Sequence, residues 1–97
     1  MEVVIMGKEL VVVTVIGLDR TGIVASISTI LAENKVNIED ISQTILDKYF
    51  AMIMLVDITH SKMSLENLQK HLMTKGSEMG LEVKVQHENV FKAMHRV

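Results

Sequence analysis

Residues 10–16 read Leu-Val-Val-Val-Thr-Val-Ile, an almost wholly β-branched run that stops at Gly17. Side chains this stiff at χ1 favour a strand over a helix, and a run apolar on both alternations suits a central strand covered on both faces. A fold built on it needs neighbouring strands on each side and a cover for each face.

The rest of the chain supplies them. From Ile23 the period changes, with Ile23, Ile27, Ile30 and Leu31 on one helical face and the helix ending near Asn34. Residues 36–46 read as a second strand with polar interruptions, and Asp47-Lys48 as the centre of a two-residue hairpin, although Asp-Lys is not a preferred pair there. Residues 49–58 follow as a third strand, apolar on both alternations and therefore mid-sheet. Ser64 is placed to cap a second helix, with Asn67 at the third helical position. Leu65, Leu68, Leu72, Met73 and Met79 form its apolar face and Gly80 its stop. Leu81, Val83 and Val85 alternate with polar residues as an edge strand, and Val90, Phe91, Met94 and Val97 suggest a short amphipathic tail helix.

Strand, helix, strand, strand, helix, strand is the ferredoxin-like α+β order, βαββαβ, in which both helices cover one face of a four-stranded antiparallel sheet. Right-handed crossovers put strands one and three in the middle. The central strands are apolar on both faces while two helices cover only one, so the other face needs the tail helix, a second copy of the chain, or both. A homo-oligomer, dimer or higher, is expected on these grounds.

Composition removes several classes of function. With no cysteine among its 97 residues the chain has no thiolate catalysis, disulfide or Cys-based metal site, which fits a cytoplasmic setting. The first eight residues lack a basic region and a long apolar run, so no export signal or membrane span is expected. A formal net charge of −2 provides no field for nucleic acid or an anionic membrane, and only Tyr49, Phe50 and Phe91 are aromatic. His60, His71, His87 and His95 are never three or four apart, so no pair of metal ligands shares a helical turn. Asp19 and Asp40 have no third ligand to complete a site. The eight methionines are read as core and interface packing.

The segment Gly17-Leu18-Asp19-Arg20-Thr21-Gly22-Ile23 joins strand one to helix one. Glycine permits positive φ and close approach, and the helix beginning near Gly22 aims unpaired N–H groups and partial positive charge into the turn, which suits a carboxylate. The plainer reading is a tight turn whose helix is capped by Asp19. A P-loop is excluded because Ile23 and Val24 stand where Lys and Ser or Thr are required, and a Rossmann fingerprint because its three glycines at fixed spacing are absent. Asn37, opening strand two, carries a donor and an acceptor that suit an amino acid's charged groups, and equally suit a turn.

Together the Gly-Leu-Asp-Arg-Thr-Gly-Ile turn, the apolar first strand and helix face, and Val36-Asn37-Ile38 resemble the ACT domain, a small-molecule-sensing regulatory module, over residues 9–87. The stretch Asp40-Ile41-Ser42-Gln43-Thr44 and the tail around Phe91 and Met94 look like a small stand-alone group related to the module of glycine-cleavage repressors. The resemblance implies a domain at residues 9–88, preceded by an extension at 1–8 and followed by the tail helix at 89–97. It further implies an effector, often an amino acid, held between the first turn of one subunit and the start of strand two of its neighbour. Carried over by position, Asp19, Arg20, Thr21, Gly22 and Ile23 come from one chain, and Asn37 and Ile38 from the other. Family members that sense serine commonly have His at the position of Gly17 and Pro at that of Thr21, so serine specificity does not transfer. No cofactor and no catalysis are expected, and output passes through a protein partner. Two other readings are a ligand-free oligomeric interaction module and, less favoured, an acylphosphatase-like hydrolase using Arg20 and Asn37.

Overall fold

The computed structural model describes residues 7–94. Val97, His95 and residues 1–6 of the expected N-terminal extension lie outside the described residues. Strand β1 spans Leu10–Leu18, helix α1 Ile23–Glu33, β2 Asn37–Leu46, β3 Tyr49–Asp57, α2 Leu65–Glu78, β4 Leu81–His87 and α3 Glu88–Met94. The strands form one antiparallel sheet in the order β2-β3-β1-β4, with β3 and β1 central as the crossover rule requires.

In-register residues share a face, so Val11, Val13 and Val15 stand with Met52, Met54, Val56, Val83 and Val85 toward the helices. They close on Ile27 and Leu31 of α1 and on Leu68 and Leu72 of α2, all buried. The expected inner face of α2 needs one correction. Met73 is 51% exposed, and the buried stripe is Leu68, Leu72 and Gly76. Successive i,i+4 steps hold one line along a helix, and Met73 stands one residue, about 100°, round from it. Gly76 belongs to that line because a Cβ there would overlap Cγ2 of Val83, so the backbone of α2 rests directly on β4.

The helix ends follow local chemistry. Ser64 Oγ accepts from the Asn67 N–H at 3.2 Å, the expected cap. At the end of α1, the Val36 N–H donates to Leu31 O at 2.9 Å and the Lys35 N–H to Ala32 O at 3.1 Å, a Schellman closure. It puts Lys35 at φ 59, a left-handed conformation usually given to glycine. Asp47 opens the β2–β3 hairpin at φ 57.

One strand boundary is also corrected. Strand β1 continues through Gly17 to Leu18, because Gly17 pairs with Phe50 on one side and Leu81 on the other. In α3, Val90 is half exposed while Phe91 and Met94 line a groove against the sheet face opposite α1 and α2.

Candidate functional site

Extension of β1 shortens the connecting turn to residues 19–22. Gly17 serves packing there: a Cβ would lie 2.6 Å from Leu81 Cδ2 and 3.1 Å from Gly80 O. Gly22 has φ 91, with open space where a Cβ would be, and is itself the N-cap of α1. No side chain caps this helix and no acid stands in its first turn, so Asp19 does not play the capping role. Its backbone N–H instead donates to Lys48 O at 2.8 Å, tying the turn to the β2–β3 hairpin. Arg20 reaches across to Met79 O at the end of α2, at 3.5 Å. Asp19 and Thr21 are exposed, and among the described residues no ion pair engages the Asp19 carboxylate. Ile23 is buried in the core, so what it offers the turn is its backbone N–H.

Asn37 is elsewhere. It pairs with Asp57 in β3, which pairs with Leu10 at the start of β1, whereas the turn follows Leu18 at the strand's other end. At ~3.3 Å per residue the two stretches stand roughly 25 Å apart within one chain. Arg20 and Asn37 therefore do not share a site within a chain, which removes the geometry on which the acylphosphatase-like reading rested. Asp19 and Asp40 do not meet either, since Asp40 lies in the row of Leu55 and Val12, and no cluster that could hold a metal exists among the described residues. Ile38 turns toward the core and packs against it.

Around Asn37 the structure gathers groups that spacing could not show. Its amide donates to Glu39 Oε2 at 2.9 Å, and Lys8 Nζ contacts Glu39 Oε1 at 2.6 Å. Glu39 stands at the one irregularity in the β2–β3 register, between Ile38 and Asp40. Lys8 and Asn37 hold the Glu39 carboxyl below its ordinary pKa, and Glu39 raises that of Lys8. Beside them, the Thr59 hydroxyl donates to Asp57 Oδ1 and accepts from the Glu9 N–H at 2.9 Å, while the Thr59 N–H donates to the same Asp57 oxygen at 2.9 Å. These bonds hold the Asp57 carboxyl below its usual range, the hydroxyl contributing most.

A depressed carboxyl pKa stabilises the fold above the unfolded value, about 4, and that contribution is lost as pH falls through the folded value. Thr59→Val keeps the backbone bond and removes the hydroxyl. The Asp57 titration followed by NMR should move upward in this variant, with acid unfolding beginning at higher pH; an unmoved titration would assign the shift to other groups.

Residues 9–86 match the sequence profile of the ACT domain. The chain belongs to the ACT domain family. Similar proteins include a UPF0237 protein of Methanocaldococcus jannaschii, 62% identical over 87 residues that cover 90% of this chain and 97% of the relative. Among solved structures, an ACT domain protein from Streptococcus pneumoniae is 35% identical, with a TM-score of 0.76 over 92% of this chain and all of that one. A putative glycine cleavage system transcriptional repressor shares the fold, with a TM-score of 0.73 at 22% identity over 82% of this chain and 46% of its own length. The ACT match begins at Glu9, whose carbonyl accepts from the Ile58 N–H at 2.9 Å, and ends on β4 before α3.

Proposed function

We propose that this ACT-domain protein is a cytoplasmic regulator that binds a small effector, an amino acid, between two copies of itself and passes the signal to a protein partner. The observation that carries the reading is the separation of the two candidate stretches at opposite ends of one sheet. Strand β2 is an edge strand, and its own Ile41 and Ile45 are 39% and 58% exposed on the helix side. A free edge of this kind invites another strand. Antiparallel pairing of β2 with β2 of a second copy would set the neighbour's Asn37 beside Leu46, at the end of the sheet that carries residues 19–22. The turn would then offer uncapped N–H groups and Arg20 to a carboxylate, and the neighbour would offer Asn37 with Glu39 to an ammonium.

A thermal-shift screen over amino acids, purines and nucleotides tests this. A ligand at one hundred times its Kd should add about 2.7 kcal/mol, roughly 10–20 °C for a domain of this size. Asp19→Ala and Asn37→Ala should each weaken the shift while leaving the unliganded melting temperature nearly unchanged. Silence across the panel with the oligomer intact would favour a ligand-free interaction module.

A further inference from the structure

The sheet face opposite α1 and α2 is only half covered. Helix α3 packs on β1 and β4, where Gln86 Nε2 approaches Met94 Sδ at 3.0 Å and a groove of about 250 Å³ opens between the helix and Ile16 and Ile53. Over β2 and β3 nothing lies on the face among the described residues, and the middle of its floor there is Ser42, Thr44, Ala51 and Ile53, with the exposed Asp40 toward one end of the same face. We propose that a second copy of the chain seats on this face about a two-fold axis parallel to the strands, so that α3 of each copy fills the half that the other's own α3 leaves open.

Symmetry and area both single out this occupant. A two-fold axis along the strands and between the sheets reverses their lateral order, bringing β4 and β1 of one copy, with α3, over β2 and β3 of the other. The two helices then lie side by side in one layer, whereas an axis across the strands would drive them into each other. Ile16, Leu18, Tyr49, Ile53, Val90 and Met94 are each about half exposed on this side. Together they present on the order of 500 Å² of apolar surface, which matches the apolar share of a standard interface of about 800 Å² per partner. It is also at the upper end of what a monomer leaves bare. Glu88 and Lys92 of α3 pair with each other at 3.7 Å, so the inserted helix brings no isolated charge from that pair. The contact uses neither residues 19–22 nor Asn37, and it is independent of the effector reading.

The chain has no cysteine, so Val90→Cys carries a single thiol on an exposed position of α3. Side-by-side helices are ~8–10 Å apart, whereas edge pairing alone would leave the two α3 helices about six strand spacings, roughly 29 Å, apart. A short bismaleimide should therefore join most Val90→Cys chains in pairs and few Glu66→Cys chains, Glu66 being exposed on α2. Ile53→Glu should abolish the cross-link and halve the mass seen by native mass spectrometry. A Val90→Cys protein with unchanged circular dichroism that links no more than the Glu66→Cys control would overturn the proposal. In that case a surviving dimer would still be available to the edge-paired effector site.

Discussion

Gly76→Val is expected to cost about 3 kcal/mol, the upper part of the range for overpacking a buried contact, and to lower the melting temperature by roughly 15 °C. The sign is informative, because intrinsic propensity points the other way: glycine in a helix interior is about 1 kcal/mol worse than alanine. Even Gly76→Ala, which should gain from propensity, places its Cβ on Val83 Cγ2 and 3.3 Å from Leu81 O. Neither neighbour can yield easily, since Leu81 and Val83 are buried in a strand that is paired with β1. The overlap should therefore outweigh the gain, with the alanine variant less stable than the parent and the valine variant far less so. Guanidinium unfolding of the two variants measures this, and an alanine variant more stable than the parent would show that α2 can lift from β4 at little cost.

Leu31→Ala should be at least as damaging, about 4 kcal/mol, because a fully buried leucine loses its transfer energy and leaves a cavity. The backbone carbonyl of residue 31 survives the substitution, so the closure that turns the chain from α1 toward β2 keeps its Val36 hydrogen bond. What is lost is the packing that holds α1 on the sheet. Denaturation should report the full loss, while hydrogen exchange in the remaining native state should still protect the Val36 amide. Loss of that protection as well would mean that the closure depends on the packing of Leu31 and not on its own hydrogen bonds.

The parts of the fold legible in the sequence were those determined over a few residues. Strand alternation, the Ser64 cap, the Asp47-Lys48 hairpin and the stop at Gly80 are local, and each stands where periodicity and turn chemistry put it. Met73 was misplaced because a five-residue apolar list on a helix is wider than the stripe that touches the sheet. The signal for Gly76 was its place four residues after Leu72, which is invisible to a count of apolar residues. The glycine at position 17 suggests a turn by itself, whereas its reason, the close approach of Leu81, lies sixty-four residues away. The gathering of Lys8, Asn37 and Glu39 was likewise hidden, since it depends on the β2–β3 register and its irregularity at Glu39.

The strand length that separates residues 19–22 from Asn37 has a thermodynamic corollary. A ligand that must touch both stretches can bind no single chain completely, so its occupancy depends on how many chains are assembled as well as on its own concentration. Its apparent affinity should fall on dilution of the protein, and by reciprocity its presence should tighten the pairing of copies. Expression level would then set the threshold of such a sensor, and two cells holding the same effector at different amounts of this chain would respond differently.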